Sequence, residues 1–155
     1  EQFPIAAEAG FGRIEHDPDL VTPKLPALLA YQLSLTPPPA PPGSFDEAMA
    51  ARGEELFNGK AECATCHVPP LFSEPGHGLH TAEEMGIDDF QSSRSPAQGY
   101  RTAPLAGLWT HMDGGFYHDG RFATLEEVIG HYNVLFQLEL TREEIADLVE
   151  YLKSL

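Results

Sequence analysis

The sequence predicts an all-α domain with long loops, and three observations predict it. Ser44/Glu47, Thr124/Glu127 and Thr141/Glu144 each set a hydroxyl residue three positions ahead of a glutamate, the pattern of a helix-opening capping box. Behind the last of these, Ile145, Leu148, Val149, Leu152 and Leu155 recur at helical spacing on one face, with Glu143, Glu144, Asp147, Glu150 and Lys153 on the polar face. No run alternates apolar and polar residues for longer than a few positions, so no convincing strand is expected.

Taken in order, residues 1–23 read as irregular, because Gly10, Gly12, Pro18 and Pro23 interrupt any period. KLPALLAYQLSL, residues 24–35, predicts a short helix with Leu25, Leu28, Leu29 and Leu33 on one side. TPPPAPPGS follows, a run that favours stiff polyproline geometry. A boundary is expected there, with an N-terminal appendage and proline-rich spacer over 1–43 and the main domain over 44–155. Ser44 and Glu47 then open a helix through FDEAMAARGEELF, and Asn58-Gly59 ends it, since both residues tolerate left-handed backbone. Residues 68–104 are rich in proline and glycine and read as loop, with a short helix expected at TAEEMG; so long an irregular segment in a compact domain wraps something functional.

Composition narrows the function. The 155 residues suit one domain with extra segments, and 42% hydrophobic residues suffice for a modest core. Nine basic against 24 acidic residues give a net charge of −15, which repels nucleic acid and anionic membranes and suits a partner with a basic or neutral patch. No stretch approaches the roughly 20 apolar residues of a membrane span. Glu1-Gln2-Phe3-Pro4 lacks the basic start and apolar run of a leader, and a chain opening without methionine is processed or trimmed, so export stays open.

Both cysteines of the chain lie in AECATCHVPP, residues 61–70. A disulfide between Cys63 and Cys66 would close too small a loop to restrain the unfolded chain, so the pair calls for a chemical role. Cys63-x-x-Cys66-His67 is the attachment signature of c-type haem. Two thiols on one turn reach the two vinyl groups, and the imidazole that follows lies beneath the ring, where its nitrogen binds iron in either oxidation state. Two rivals stand beside it. Cys63, Cys66, His77 and His80 fall near the spacing of a zinc site. A thioredoxin-like dithiol is the other, but it needs a βαβ context that the sequence lacks.

The stretch ARGEELFNGKAECATCH resembles the start of a class I cytochrome c domain, with Gly53 and Phe57 matching the small and aromatic residues of its first helix and Tyr151 the aromatic of its last. YRTAPLAGLWTHMDGGFYHDGRFATLEEVIGHYN, residues 100–133, is similar to the C-terminal haem domain of bacterial di-haem cytochrome c peroxidases. The shared features are Arg101, Pro104 and Leu105, then Tyr117-His118-Asp119-Gly120, then Leu125-Glu126-Glu127. The likeness runs over about 44–155. It implies a class I cytochrome c-like fold with helices and long loops wrapping one covalent haem c, and it implies export to the periplasm, where thioether attachment takes place. It does not by itself imply peroxidase activity, because those relatives use two haems and this chain has one attachment motif.

His67 is expected to supply one axial ligand, and the residue opposite decides the function. Counting through the peroxidase-like segment sets the family's methionine position on Tyr132; Met112, in the loop WTHMDGG, is the competing donor. His131 and His80 come next, and Met49 and Met85 rank below Met112, whereas His16, His77, His111 and His118 read as surface or loop-bracing residues. Arg101 is expected to pair with a haem propionate, and Trp109, Phe116 and Tyr117 to wall the ring. The relatives' basic residue and asparagine are Ala106-Gly107 here. Two functions follow: an electron carrier cycling Fe(II) and Fe(III) with a redox partner protein, or the haem domain of a peroxidase-like oxidoreductase, with Glu74, Glu83 and Glu84 near its open iron face.

Overall fold

A computed structural model describes residues 21–74, 78–113 and 115–155. The expected irregularity of residues 1–20 and the expectations for His16 and His77 lie outside the described residues. The chain divides into two compact units, Glu1–Thr36 and Pro37–Leu155. In the first, α1 (Leu25–Ser34) follows a 3-10 turn at Thr22–Lys24, and its leucines are exposed.

The second unit holds α2 (Glu47–Asn58), α3 (Leu125–Leu135) and α4 (Arg142–Ser154), joined by long irregular segments with 3-10 turns at Cys63–Thr65, Ser92–Arg94 and Leu108–His111. Among the described residues, extended pairing is limited to the isolated bridges His80–Tyr100 and Phe116–Phe122. The all-α class I cytochrome c-like fold expected from the sequence is the fold observed.

Capping residues explain where the helices begin. Thr124 and Thr141 each accept from the backbone N–H of the glutamate three residues on, and Glu127 and Glu144 reach back to the cap N–H, completing both boxes. The box expected at Ser44 does not form. The Ser44 hydroxyl donates to Pro41 O at 2.7 Å within a turn, and Asp46 caps α2 instead, accepting from Met49 N at 2.8 Å. A carboxylate at a helix N-terminus is favoured over a hydroxyl by the helix dipole. Gly59 ends α2 at φ −121°, and Glu62 takes the left-handed conformation at φ 53° in its place. TAEEMG forms a capped turn with no continuing helix: Thr81 N donates to Glu84 Oε2 and Glu84 N to Thr81 Oγ1.

The core forms where α2 crosses α4. Phe57 is buried against Tyr151, their rings 5.2 Å apart and edge-to-face. Leu148, Val149 and Leu152 of α4 join Leu125 and Ile129 of α3 around them. The crossing is close because position 53 is a glycine: a Cβ there would lie 2.1 Å from the Asp147 carbonyl oxygen and 2.7 Å from Tyr151 Cβ. Asp147, expected on the polar face, is buried, and the close approach explains it. Its carboxylate meets Arg52 across the crossing in a two-pronged pair of 2.8 and 2.6 Å. Lys60 bonds Glu144 and the Glu139 carbonyl at the rim, a contact too exposed to add much stability.

Two further contacts shape the segments around the helices. Asn133 bonds both the N–H and the C=O of Leu140, clamping the connection between α3 and α4. Gly107, at φ 80°, lets Pro37 approach to 2.9 Å from where a Cβ would be, and its N–H donates to Leu155 O. None of the helices among the described residues is long and apolar enough to cross a membrane.

Candidate functional site

The cysteine motif folds as one tight turn. Glu62 enters it in left-handed backbone, Cys63–Thr65 make a 3-10 turn, and the His67 N–H reaches back to Cys63 O at 2.9 Å. Cys63, Cys66 and His67 are all half-buried and both thiols are free. Burial, assisted by the neighbouring Cys66, pushes the Cys63 thiol up to about 11. It is therefore protonated at neutral pH, so Cys63 is not a thiolate nucleophile.

His67 is set by its surroundings. Its ring packs 6.5 Å from Phe57, and Nδ1 lies 2.8 Å from Phe72 O. A carbonyl only accepts, so Nδ1 carries the proton and Nε2 presents a lone pair. Burial holds the imidazole below its ordinary value against the opposing pull of the Phe72 and Ala103 carbonyls, which keeps it neutral. A neutral imidazole with its second nitrogen bonded to a backbone carbonyl is the usual arrangement of a metal-ligating histidine.

Helix α3 brings Tyr132 toward the motif. Leu125, Ile129 and Tyr132 lie on one stripe of the helix, and the first two are in the core, so the tyrosine is turned inward with them. Burial raises its phenol above the ordinary value, opposed by the Tyr117 hydroxyl, and both Cys63 and Cys66 are within electrostatic reach of it. Phe136 stacks on its outer side at 5.7 Å and Tyr117 lies 6.0 Å away.

Tyr117 is half-buried, and its hydroxyl oxygen is buried with no hydrogen-bond partner among the described residues. Burial, then Tyr132, raises that phenol well beyond its ordinary value, so it stays a neutral O–H. The sequence marked Tyr117 only as an aromatic wall; neither its orphaned hydroxyl nor its nearness to Tyr132 is visible there.

The remaining candidates fall as follows. Met112 closes the turn Leu108–His111 and packs half-buried against the core, as does Phe116. Trp109 turns its N–H to Pro38 O at 3.0 Å, which pins the proline spacer, while Arg101 is exposed. His131 Nε2 donates to Met85 O at 2.8 Å, and His80 Nε2 lies 2.9 Å from Glu74 Oε2. Of the zinc donors expected beside the cysteines, His80 thus turns to Glu74 and His77 lies outside the described residues. His118 stacks on Tyr100 at 4.7 Å and pairs with Asp88 at 3.2 Å. Asp88 and Asp119 also both bond Arg121, whose guanidinium offsets one of their two negative charges. Glu84 is consumed as the cap of Thr81, and Glu83 is exposed. A shallow depression of about 580 Å³ walled by Gly86, Phe122, His131 and Leu135 includes neither cysteine nor Tyr132.

Two adjacent thiols, a neutral imidazole with one free lone pair and an inward phenol form a donor set that fits a porphyrin iron attached through sulfur. A family model for cytochrome c matches residues 50–155, and the chain belongs to the cytochrome c family. A domain of that family implies covalently attached haem c.

Three curated relatives are similar to it. The methylamine utilization protein MauG of Methylorubrum extorquens is 33% identical over 124 residues, covering 70% of this chain and 35% of that protein. A cytochrome-c peroxidase of Denitromonas iodatirespirans is 26% identical over 151 residues, covering 70% and 40%. A cytochrome-c peroxidase of a Pseudomonas species is 29% identical over 145 residues, covering 68% and 39%. The chain thus resembles the haem domains of peroxidase-type proteins and spans 35 to 40% of the length of these relatives. No solved structure matches it.

Proposed function

We propose that this chain is a mono-haem electron-transfer domain working in an exported, periplasmic compartment, in which His67 and Tyr132 would bind the haem iron. Cys63 and Cys66 hold one haem c by thioether bonds, and the domain proper is 44–155, with 1–43 an appendage and spacer. When bound, haem c supplies a one-electron Fe(II)/Fe(III) couple.

What supports the reading is that Tyr132 lies within electrostatic reach of both thiols of the turn that carries His67. His67 is aimed by its Nδ1–H bond to Phe72 O, and Tyr132 by the inward stripe of α3. Tyr132 is favoured over Met112 because its polar atom is electrostatically coupled to both thiols, whereas Met112 packs among apolar side chains as methionines commonly do. A phenolate stabilises ferric iron and lowers the potential. Arg101 is assigned to a propionate, and Trp109 and Phe116 to the walls of the ring. The net charge of −15 suits a redox partner with a basic docking patch, so reduction by that partner slows as salt rises.

The similarity to cytochrome-c peroxidases supports a second reading, in which the chain is the haem domain of a larger peroxidase-like oxidoreductase. Peroxide added to the ferric protein separates the two. A carrier with both axial positions filled keeps its spectrum, and an enzyme domain with a labile position changes it.

Ligand substitution tests the assignment. Tyr132→Met is expected to raise the midpoint potential by on the order of 0.1 V, a fraction of the roughly 0.8 V that axial ligands span, and to change the ferric absorption spectrum. Met112→Leu is expected to leave both unchanged. The opposite pattern would assign the iron to Met112.

A further inference from the structure

We infer that Tyr117 is a positioning residue for the iron ligand, its hydroxyl donating a hydrogen bond to the oxygen of Tyr132 when that oxygen binds iron. The inference rests on the assignment of Tyr132 and deepens it.

Three observations lead to it. The first is the Tyr117 hydroxyl itself, buried and without a partner among the described residues. Buried polar atoms are nearly always satisfied, so one that is not calls for an explanation. The second is what surrounds it. The Tyr132 ring is 6.0 Å away and tilted by 36°, and the Phe122 and His131 rings meet Tyr117 edge-on at 5.0 and 5.7 Å. Of these neighbours, Phe122 offers no acceptor, and His131 Nε2 donates to Met85 O. The phenol oxygen of Tyr132 is the neighbour whose titration is coupled to the Tyr117 hydroxyl, and it becomes a strong acceptor when it loses its proton to metal binding.

The third observation is how the ring is held. Tyr117 sits at φ 70°, a conformation that bulky residues adopt only when the surrounding chain imposes it. Here the chain does: Phe116 N donates to Phe122 O at 2.9 Å, and Gly120 N to Tyr117 O at 3.3 Å, so a tight loop closes on both sides of the residue. Gly115 and Gly120 occupy positive φ at its two ends, and a Cβ on Gly120 would lie 3.5 Å from the Gly115 Cα. The loop fixes the Tyr117 hydroxyl before any ligand arrives. Hydrogen bonds of this kind orient a ligating oxygen and draw electron density from it. Tyr117 would therefore weaken the donor strength of Tyr132 and raise the iron potential above that of an unassisted phenolate.

The test uses the haem-loaded protein and resonance Raman spectroscopy in H2O and D2O. In the wild type, the phenolate modes of iron-bound Tyr132 are expected to shift in D2O, because the proton of the hydrogen bond exchanges. In Tyr117→Phe, which keeps the ring and its packing, the same modes are expected to persist with the D2O shift lost and the midpoint potential lowered. Phenolate modes that keep their D2O shift and an unchanged potential in Tyr117→Phe would overturn the inference while leaving Tyr132 as ligand. A wild-type spectrum with no phenolate modes would instead overturn the ligand assignment itself. Tyr132→Phe, in which the modes must vanish, identifies their source.

Discussion

Gly53→Ala is expected to destabilise the folded protein by about 3 kcal/mol, the upper end of the usual cost of overpacking a core. The reason is local. The new methyl group would lie 2.1 Å from the Asp147 carbonyl oxygen, and both atoms belong to helix backbones that cannot rotate away. Relief requires α2 and α4 to separate, which opens the Phe57–Tyr151 contact and pulls Arg52 from the buried Asp147. The same substitution at Gly130 has the opposite sign. That residue lies inside α3 with nothing within 4 Å of a Cβ, so alanine there is expected to add about 0.5–1 kcal/mol by reducing the freedom of the unfolded chain. Denaturant unfolding of the two variants checks both values. A Gly53→Ala midpoint equal to that of wild type would mean that the helices do not cross as closely as described.

Replacing Cys63 and Cys66 together by alanine is expected to remove the pigment altogether. Each thiol is half-buried on the turn that also carries His67, and both lie within electrostatic reach of Tyr132. Without them, a porphyrin would be held only by its axial bonds, which denaturant breaks. After denaturing electrophoresis, haem staining of the double variant is expected to fall to background, whereas each single variant retains one thioether and a weaker signal. Equal staining of wild type and double variant would show that the cysteines do not carry the group.

Much of this was legible in the sequence because it is local. A capping box spans four residues, so Thr124 and Thr141 could be read directly. The turn from Cys63 to His67 spans five and needs no distant partner. Helical spacing puts Leu125, Ile129 and Tyr132 on one face, but only the packing of the first two shows that the face turns inward.

What was misread depends on contacts far apart in the chain. Asp147 looked like a surface residue of α4 because its partner, Arg52, lies 95 positions away. Ser44 looked like a cap because nothing local reveals that Pro41 claims its hydroxyl or that Asp46 competes two residues on. The pairing of His80 with Glu74 was not visible either. Tyr117 was legible as an aromatic but not as a buried, unpartnered hydroxyl. Its burial and its positive φ are imposed by the Phe116–Phe122 bridge, and no periodicity announces such a loop.

The account depends on haem being joined covalently to Cys63 and Cys66. Extraction of the matured protein with acidified organic solvent tests that most directly. The colour is predicted to stay with the precipitated polypeptide, and the alkaline pyridine adduct of that precipitate to give the reduced spectrum of a haem with two thioether links. Pigment passing into the solvent, or a colourless protein matured in a host able to attach haem c, would contradict it.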